Sequence, residues 1–202
     1  MPNARTVHRP GTRAAQTAAR RERLLAAATE LAAEGGYDAV QMRDVAGRAE
    51  VALGTLYRHY SSKDQLLLAA LAEQAATLRD RLQQRPPRGA TPGDRVADAL
   101  RRACRALERE PRVIAAMMTA MSAPEEGAVV LKRDVDATLR AIITAAINGD
   151  GGDGPADVDD LVRVLGSVWF AGLSFWVNGM MSAAEMADDL DRAVHLVLRA
   201  RA

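Results

Sequence analysis

The chain has 202 residues, 49% of them apolar and only 3% aromatic, and a formal net charge of +1. That length allows one large domain or a small head on a larger body. Bulk supplied mostly by Ala, Leu and Val, without period-two alternation, points to an all-α protein, and the single Cys104 excludes an internal disulfide or a cysteine metal cage.

Residues 1–16 read as a polar, flexible, basic arm. Arg5, Arg9, Arg13, Arg20 and Arg21 all precede the first acid, Glu22. Residues 1–65 hold ten Arg/Lys against seven Asp/Glu, whereas 66–202 hold seventeen against nineteen. Such an arm can lie along phosphates or enter a minor groove, with Arg13, Arg20 and Arg21 as its candidate DNA contacts. The alternative is a solvated tail with no role. No apolar run follows the first basic residues, so no signal peptide is expected and the expected compartment is the cytoplasm.

A first helix is predicted from about Thr17 to Glu34. Leu24, Leu25, Ala28, Leu31 and Ala32 form its stripe, and Gly35-Gly36 stops it. Residues 36–65 then read GYDAVQMRDVAGRAEVALGTLYRHYSSKDQ. Two short helices joined by a tight turn fit this segment, with Val40, Val45 and Ala46 apolar on the first. Val51, Leu53, Leu56 and Tyr60 give the second its apolar side. That is helix-turn-helix architecture, which presents one small helix to a DNA groove. Ser62 caps a long helix to about Gln84, with Gln65 completing a capping box.

Arg85-Pro86-Pro87-Arg88-Gly89 is a linker. Helices are predicted from Thr91-Pro92 to about Glu110, from Pro111 through Met121, and from near Pro124 to Asn148. A glycine- and aspartate-rich loop over 149–155 lacks the ligand spacing of a calcium loop. Val164 to Ala184 carries no charge, and its length is near that of a membrane span. Its glycines, its serines and Asn178 favour instead a helix buried on nearly all sides. Ser182-Ala183-Ala184-Glu185 caps the last helix.

The run Leu53-Gly54-Thr55-Leu56-Tyr57-Arg58-His59-Tyr60, followed by Ser61-Ser62-Lys63, resembles the DNA-binding signature of the TetR family of bacterial repressors. The resemblance covers roughly residues 20 to 70. One departure stands out: the interhelical turn carries Glu50 where the family usually has Gly. A non-Gly residue there must accept a left-handed turn, at roughly 1 kcal/mol.

The resemblance implies a three-helix DNA-binding head over 17–65 and a ligand-binding, dimerising body over 66–202. It implies backbone contacts for Tyr57, His59 and Lys63, and places Arg43, Thr55 and Arg58 nearest the base edges. An arginine such as Arg43 suits guanine. It also implies a homodimer through the last two helices, a double-stranded operator and a small effector. In the body, Met117, Met118 and Met121 and the segment with Trp169, Phe170, Leu173 and Trp176 are candidates to line an apolar pocket. Methionines at helical spacing are more often plain core. The segment from Gly35 to Arg43 is also similar to actinobacterial repressors of sterol catabolism, which implies a sterol-derived acyl-CoA effector.

No cofactor or metal is expected. His8, His59 and His195 are scattered, and no catalytic triad or phosphate loop is visible. The competing readings are an effector-independent DNA-binding protein, a membrane-associated helical protein and an enzyme without a legible site.

Overall fold

The computed structural model describes residues 10–124, 126–149 and 157–199, and for residues 10–13, 126 and 199 the backbone alone. All regular elements among them are helical, as the composition implied. Helix α1 spans Pro10–Ala39, seven residues earlier than the predicted Thr17. Pro at the first position and the alanines behind it favour this extension of the helix into the expected arm. Residues 1–9, with Arg5, His8 and Arg9, lie outside the described residues, as does the side chain of Arg13.

Leu24, Leu25, Ala28, Leu31 and Ala32 are all buried, as their spacing predicted. The helix breaks at Gly35 and Gly36. Gly36 has φ 70°, and a Cβ on Gly35 would lie 2.7 Å from the Ala39 Cβ. Glycine is required at both places, one for its backbone angle and one for space.

Helices α2 (Met42–Arg48) and α3 (Leu53–His59) form the helix-turn-helix. The turn between them holds Glu50 at φ 53°, the left-handed conformation its position demanded. The Val51 amide donates to the Ala46 carbonyl at 2.9 Å and fixes this turn. Val40, Val45 and Leu56 are fully buried beneath it.

Helix α4 (Lys63–Gln84) begins at Ser62, whose hydroxyl accepts from the Gln65 amide at 3.1 Å. The Gln65 side chain in turn accepts from the Ser61 amide at 3.0 Å. Leu66, Leu67 and Leu68 are all buried because α1, α6 and α7 surround this helix.

The body continues with α5 (Pro92–Leu107), α6 (Pro111–Ser122), α7 (Val129–Asn148), α8 (Val158–Val177) and α9 (Ala183–Arg199). Thr91 and Asp94 form a reciprocal capping box for α5. The helix expected from Pro124 starts only at Val129, after a 3-10 turn over Glu126–Ala128. At the other end of α7, the Arg95 guanidinium donates to the carbonyls of Ala146 and Ile147 at 2.9 and 2.7 Å. The predicted loop over 149–155 falls outside the described residues beyond Gly149.

Helix α8 corrects one expectation. It is long and apolar enough to cross a bilayer, and it is not buried on nearly all sides. Leu161, Val162, Leu165, Trp169 and Leu173 face the core of the body. Val164, Phe170 and Phe175 stay 42–47% exposed. A Cβ on Gly172 would lie 3.0 Å from the Met186 Cγ, so glycine lets α8 and α9 approach closely. The Ser182–Glu185 capping box forms as predicted, with Ser182 N to Glu185 at 2.7 Å and Glu185 N to Ser182 at 3.1 Å.

Candidate DNA-binding face and ligand cavity

Burial of Leu56 and Tyr60 turns the other side of α3 outward. Tyr57, Arg58 and His59 are exposed together there, and Thr55 is half-buried beside them. Arg58 donates to the Thr55 hydroxyl at 3.2 Å, so these two side chains share one face of the helix. Arg43, in the first turn of α2, is exposed and makes no ion pair among the described residues. An unengaged guanidinium keeps its fork of donors available for a base edge or a phosphate.

Lys63 opens α4, where free amides and the positive end of the helix attract anions. Its ammonium lies 3.7 Å from the centroid of the Tyr37 ring. Tyr37 was not singled out from the sequence, although the only aromatic just after the Gly35-Gly36 break was a signal. Arg48 binds Glu34 at 2.6 Å and clamps α2 to α1. Arg20 is half-buried. Arg21 departs from the basic-arm reading. Its guanidinium pairs with Glu73 of α4 at 2.7 Å, and it borders a cavity in the body.

That cavity has a volume of about 1260 Å³. Helices α1, α4, α6, α7 and α8 wall it, with the end of α5. Met117, Met118, Met121, Trp169, Phe170 and Leu173 line it, which brings six of the seven predicted pocket residues together. Met117 is fully buried and Met118 nearly so. The exception is Trp176. It packs against the core outside the cavity, two helical turns beyond Trp169. The sequence did not reveal the charges at the rim, among them Arg21, Arg81, Arg109 and Arg140. Four helices supply these arginines or their flanks, so no local spacing announces them.

Burial raises the Cys104 thiol to about 11, which leaves it neutral and inert. Among the described residues no cluster of metal-ligating side chains occurs.

Two segments match known families. Residues 24–70 match the tetR family of bacterial regulatory proteins, and residues 89–197 match the tetracyclin repressor-like C-terminal domain. The HTH-type transcriptional repressor KstR of Mycobacterium tuberculosis is 34% identical over 179 residues, covering 89% of this chain and 80% of that protein.

The chain belongs to the TetR family.

A TetR transcriptional regulator from Rhodococcus sp. RHA1 superposes with a TM-score of 0.82 at 33% identity, over 91% of this chain and 97% of that one. Thermus thermophilus FadR, a TetR-family repressor solved with lauroyl-CoA, has a TM-score of 0.69 at 20% identity, over 90% of this chain and 95% of that one. The second likeness is one of fold alone. This TetR-family protein is therefore a helix-turn-helix transcriptional repressor and not an enzyme.

Proposed function

We propose that this TetR-family repressor binds a palindromic operator as a homodimer and is released by an amphipathic anion held in the body. The effector we favour is a sterol-derived or other acyl-CoA. One observation carries the reading: the cavity of about 1260 Å³ touches both α1 and α4, the helices that support the DNA-binding face. Its volume exceeds the usual ~300–1,000 Å³ of small-molecule pockets and suits a long apolar chain or a fused-ring skeleton. The arginines in its lining, set among Glu22, Glu73, Glu110 and Asp136, suit the acidic end of such a molecule. The lauroyl-CoA held by the FadR relative is a ligand of that chemistry.

The head over 17–65 contacts DNA through Arg20, Arg43, Thr55, Tyr57, Arg58, His59 and Lys63, with Arg13 preceding it in sequence, while Arg21 is engaged by Glu73 instead. The body over 66–202 binds the effector and the second copy. Val164, Phe170, Phe175, Met180 and Leu196 leave apolar surface on α8, α9 and the turn between them. Apolar surface of that kind favours a subunit contact. The protein works where the DNA is, in the cytoplasm.

Occupancy changes the separation of the two heads. Half-sites on one face of DNA recur about every 34–36 Å, so a small displacement spoils the fit. Selection of genomic fragments by the purified protein recovers the operator. Adding palmitoyl-CoA or a steroid acyl-CoA then lowers operator affinity by about 5- to 150-fold. A fixed affinity with every apolar acid and thioester tried would leave an effector-independent repressor as the better account.

A further inference from the structure

Three arginine–carboxylate pairs involve the cavity's lining, and they differ in what they connect. Arg140 pairs with Asp136 within α7, and Arg163 pairs with Asp160 within α8. Arg21 of α1 pairs with Glu73 of α4 at 2.7 Å, and both of its side chains face the cavity. Exchanging the carboxylate of the first two moves nothing between helices. Exchanging it at Arg21 removes a polar tie between the first helix of the head and the helix that joins head to body.

We propose that Arg21 is the receptor for the effector's anionic group, and that capture of Arg21 from Glu73 is the step by which occupancy releases the DNA-binding face. This deepens the effector reading above and rests on it.

The pair is suited to exchange. Its side chains are 48% and 57% exposed, so it contributes little to stability and an arriving carboxylate or phosphate displaces Glu73 at small cost. The coenzyme A phosphates of an acyl-CoA, or a free carboxylate, offer the same bidentate partner to the guanidinium.

The consequence reaches α3 directly. Tyr60 ends the recognition helix, with its amide donating to the Leu56 carbonyl at 2.9 Å. Burial pushes the Tyr60 phenol up, and the neighbouring Arg21 charge opposes that rise. One guanidinium therefore borders the cavity and pairs with the link helix, and its charge is felt by Tyr60, the residue that caps the recognition helix. Displaced Glu73 would face the incoming anion, and like charges drive α4 away from α1.

The test uses the full-length protein with palmitoyl-CoA, palmitate and uncharged hexadecanol as probes. Binding is followed by calorimetry and operator release by anisotropy. Arg21→Gln should weaken palmitoyl-CoA by about tenfold or more, the loss expected for a charged hydrogen-bonded partner. Glu73→Gln should do the opposite and strengthen it by a few-fold, because the competing carboxylate is gone. A pair with a merely structural role would shift both variants the same way. Hexadecanol should bind without releasing operator, and palmitate should separate the need for a carboxylate from the need for phosphates. Arg79→Gln, a cation of α4 that lies outside the cavity and pairs with Asp80 of its own helix, should leave release intact. A wild type that ignores palmitoyl-CoA and palmitate would sink the effector reading and the latch together. A responsive wild type with unchanged Arg21→Gln and Glu73→Gln variants would overturn the latch alone.

Discussion

The Lys63 ammonium stands over the Tyr37 ring and donates to the Tyr37 carbonyl at 3.4 Å. The Tyr37 hydroxyl donates in turn to Asp64 at 2.6 Å. The end of α1 thus holds the first two residues of α4, and the cation is positioned before DNA arrives. Tyr37→Leu removes the ring contact, worth about 0.5–1 kcal/mol at an exposed site. We expect two- to fivefold weaker binding to all DNA. Lys63→Ala should also flatten the salt dependence by about one unit. Arg43→Ala should differ, costing about 1–3 kcal/mol on the operator and relaxing sequence preference. Titrations on operator and random duplexes at several salt concentrations check this. Equal losses on both duplexes for Arg43→Ala would remove it from base reading.

Glu50 occupies a backbone conformation that suits glycine, with φ 53°. Glu50→Gly should relieve roughly 1 kcal/mol of strain. For a chain of this length that is a rise of about 2–4 °C in Tm. A fall on calorimetric melting would mean that the carboxylate supports the turn.

The choice of residues that test the proposed dimer follows from burial. Val194, though on the final helix, is fully buried within its own chain, so Val194→Asp would unfold the body. Phe175 is 47% exposed and Leu196 72% exposed. Phe175→Asp and Leu196→Asp should give folded monomers by light scattering, with operator binding lost. Dimers that persist in both variants would place the contact elsewhere.

Gly166 lines the cavity, and a Cβ there meets nothing within 4 Å. Gly166→Leu should push a side chain into the cavity without a clash. It should also favour α8, since glycine costs a helix interior about 0.8–1 kcal/mol. The expected repressor melts at the wild-type temperature or higher, binds operator and ignores effector. Retained release would show that effectors act from another site.

His195 joins α9 to α5. Its Nδ1 donates to the Asp191 carbonyl at 2.8 Å, and its Nε2 lies 3.3 Å from Asp94. The backbone carbonyl and then the Asp94 carboxylate raise its pKa above the ordinary 6.5. A raised value means that the fold favours the protonated ring. That stabilisation is complete below the unfolded value and disappears as pH rises through the folded one. The Tm gap between wild type and His195→Gln should therefore be wide near about pH 5.5 and closed by about pH 9. A gap independent of pH would assign His195 to packing alone.

Local signals made most of the fold legible. The Gly35-Gly36 stop, the Ser62 and Ser182 caps and the Leu24–Ala32 stripe each act within a few residues, and each appears where it was expected. The late start of α7 and the early start of α1 escaped, because helix ends depend on neighbouring helices as much as on propensity. The cavity was half legible. Methionines and aromatics at helical spacing marked its apolar wall. Its arginines come from distant positions that converge only in three dimensions. Trp176 was misplaced for a related reason: on a helix apolar on two sides, periodicity does not say which side faces the hollow.

Glu34 serves both halves of the molecule. Its carboxylate holds Arg48 of α2, and its carbonyl accepts from Arg112 of α6 at 3.0 Å. Anyone building a hybrid regulator by transplanting the head onto another body would cut the chain near Ser62, where the sequence invites it. That cut leaves Arg112 behind. A functional hybrid must bring along a donor at the start of the sixth helix, so the transferable unit is discontinuous in sequence.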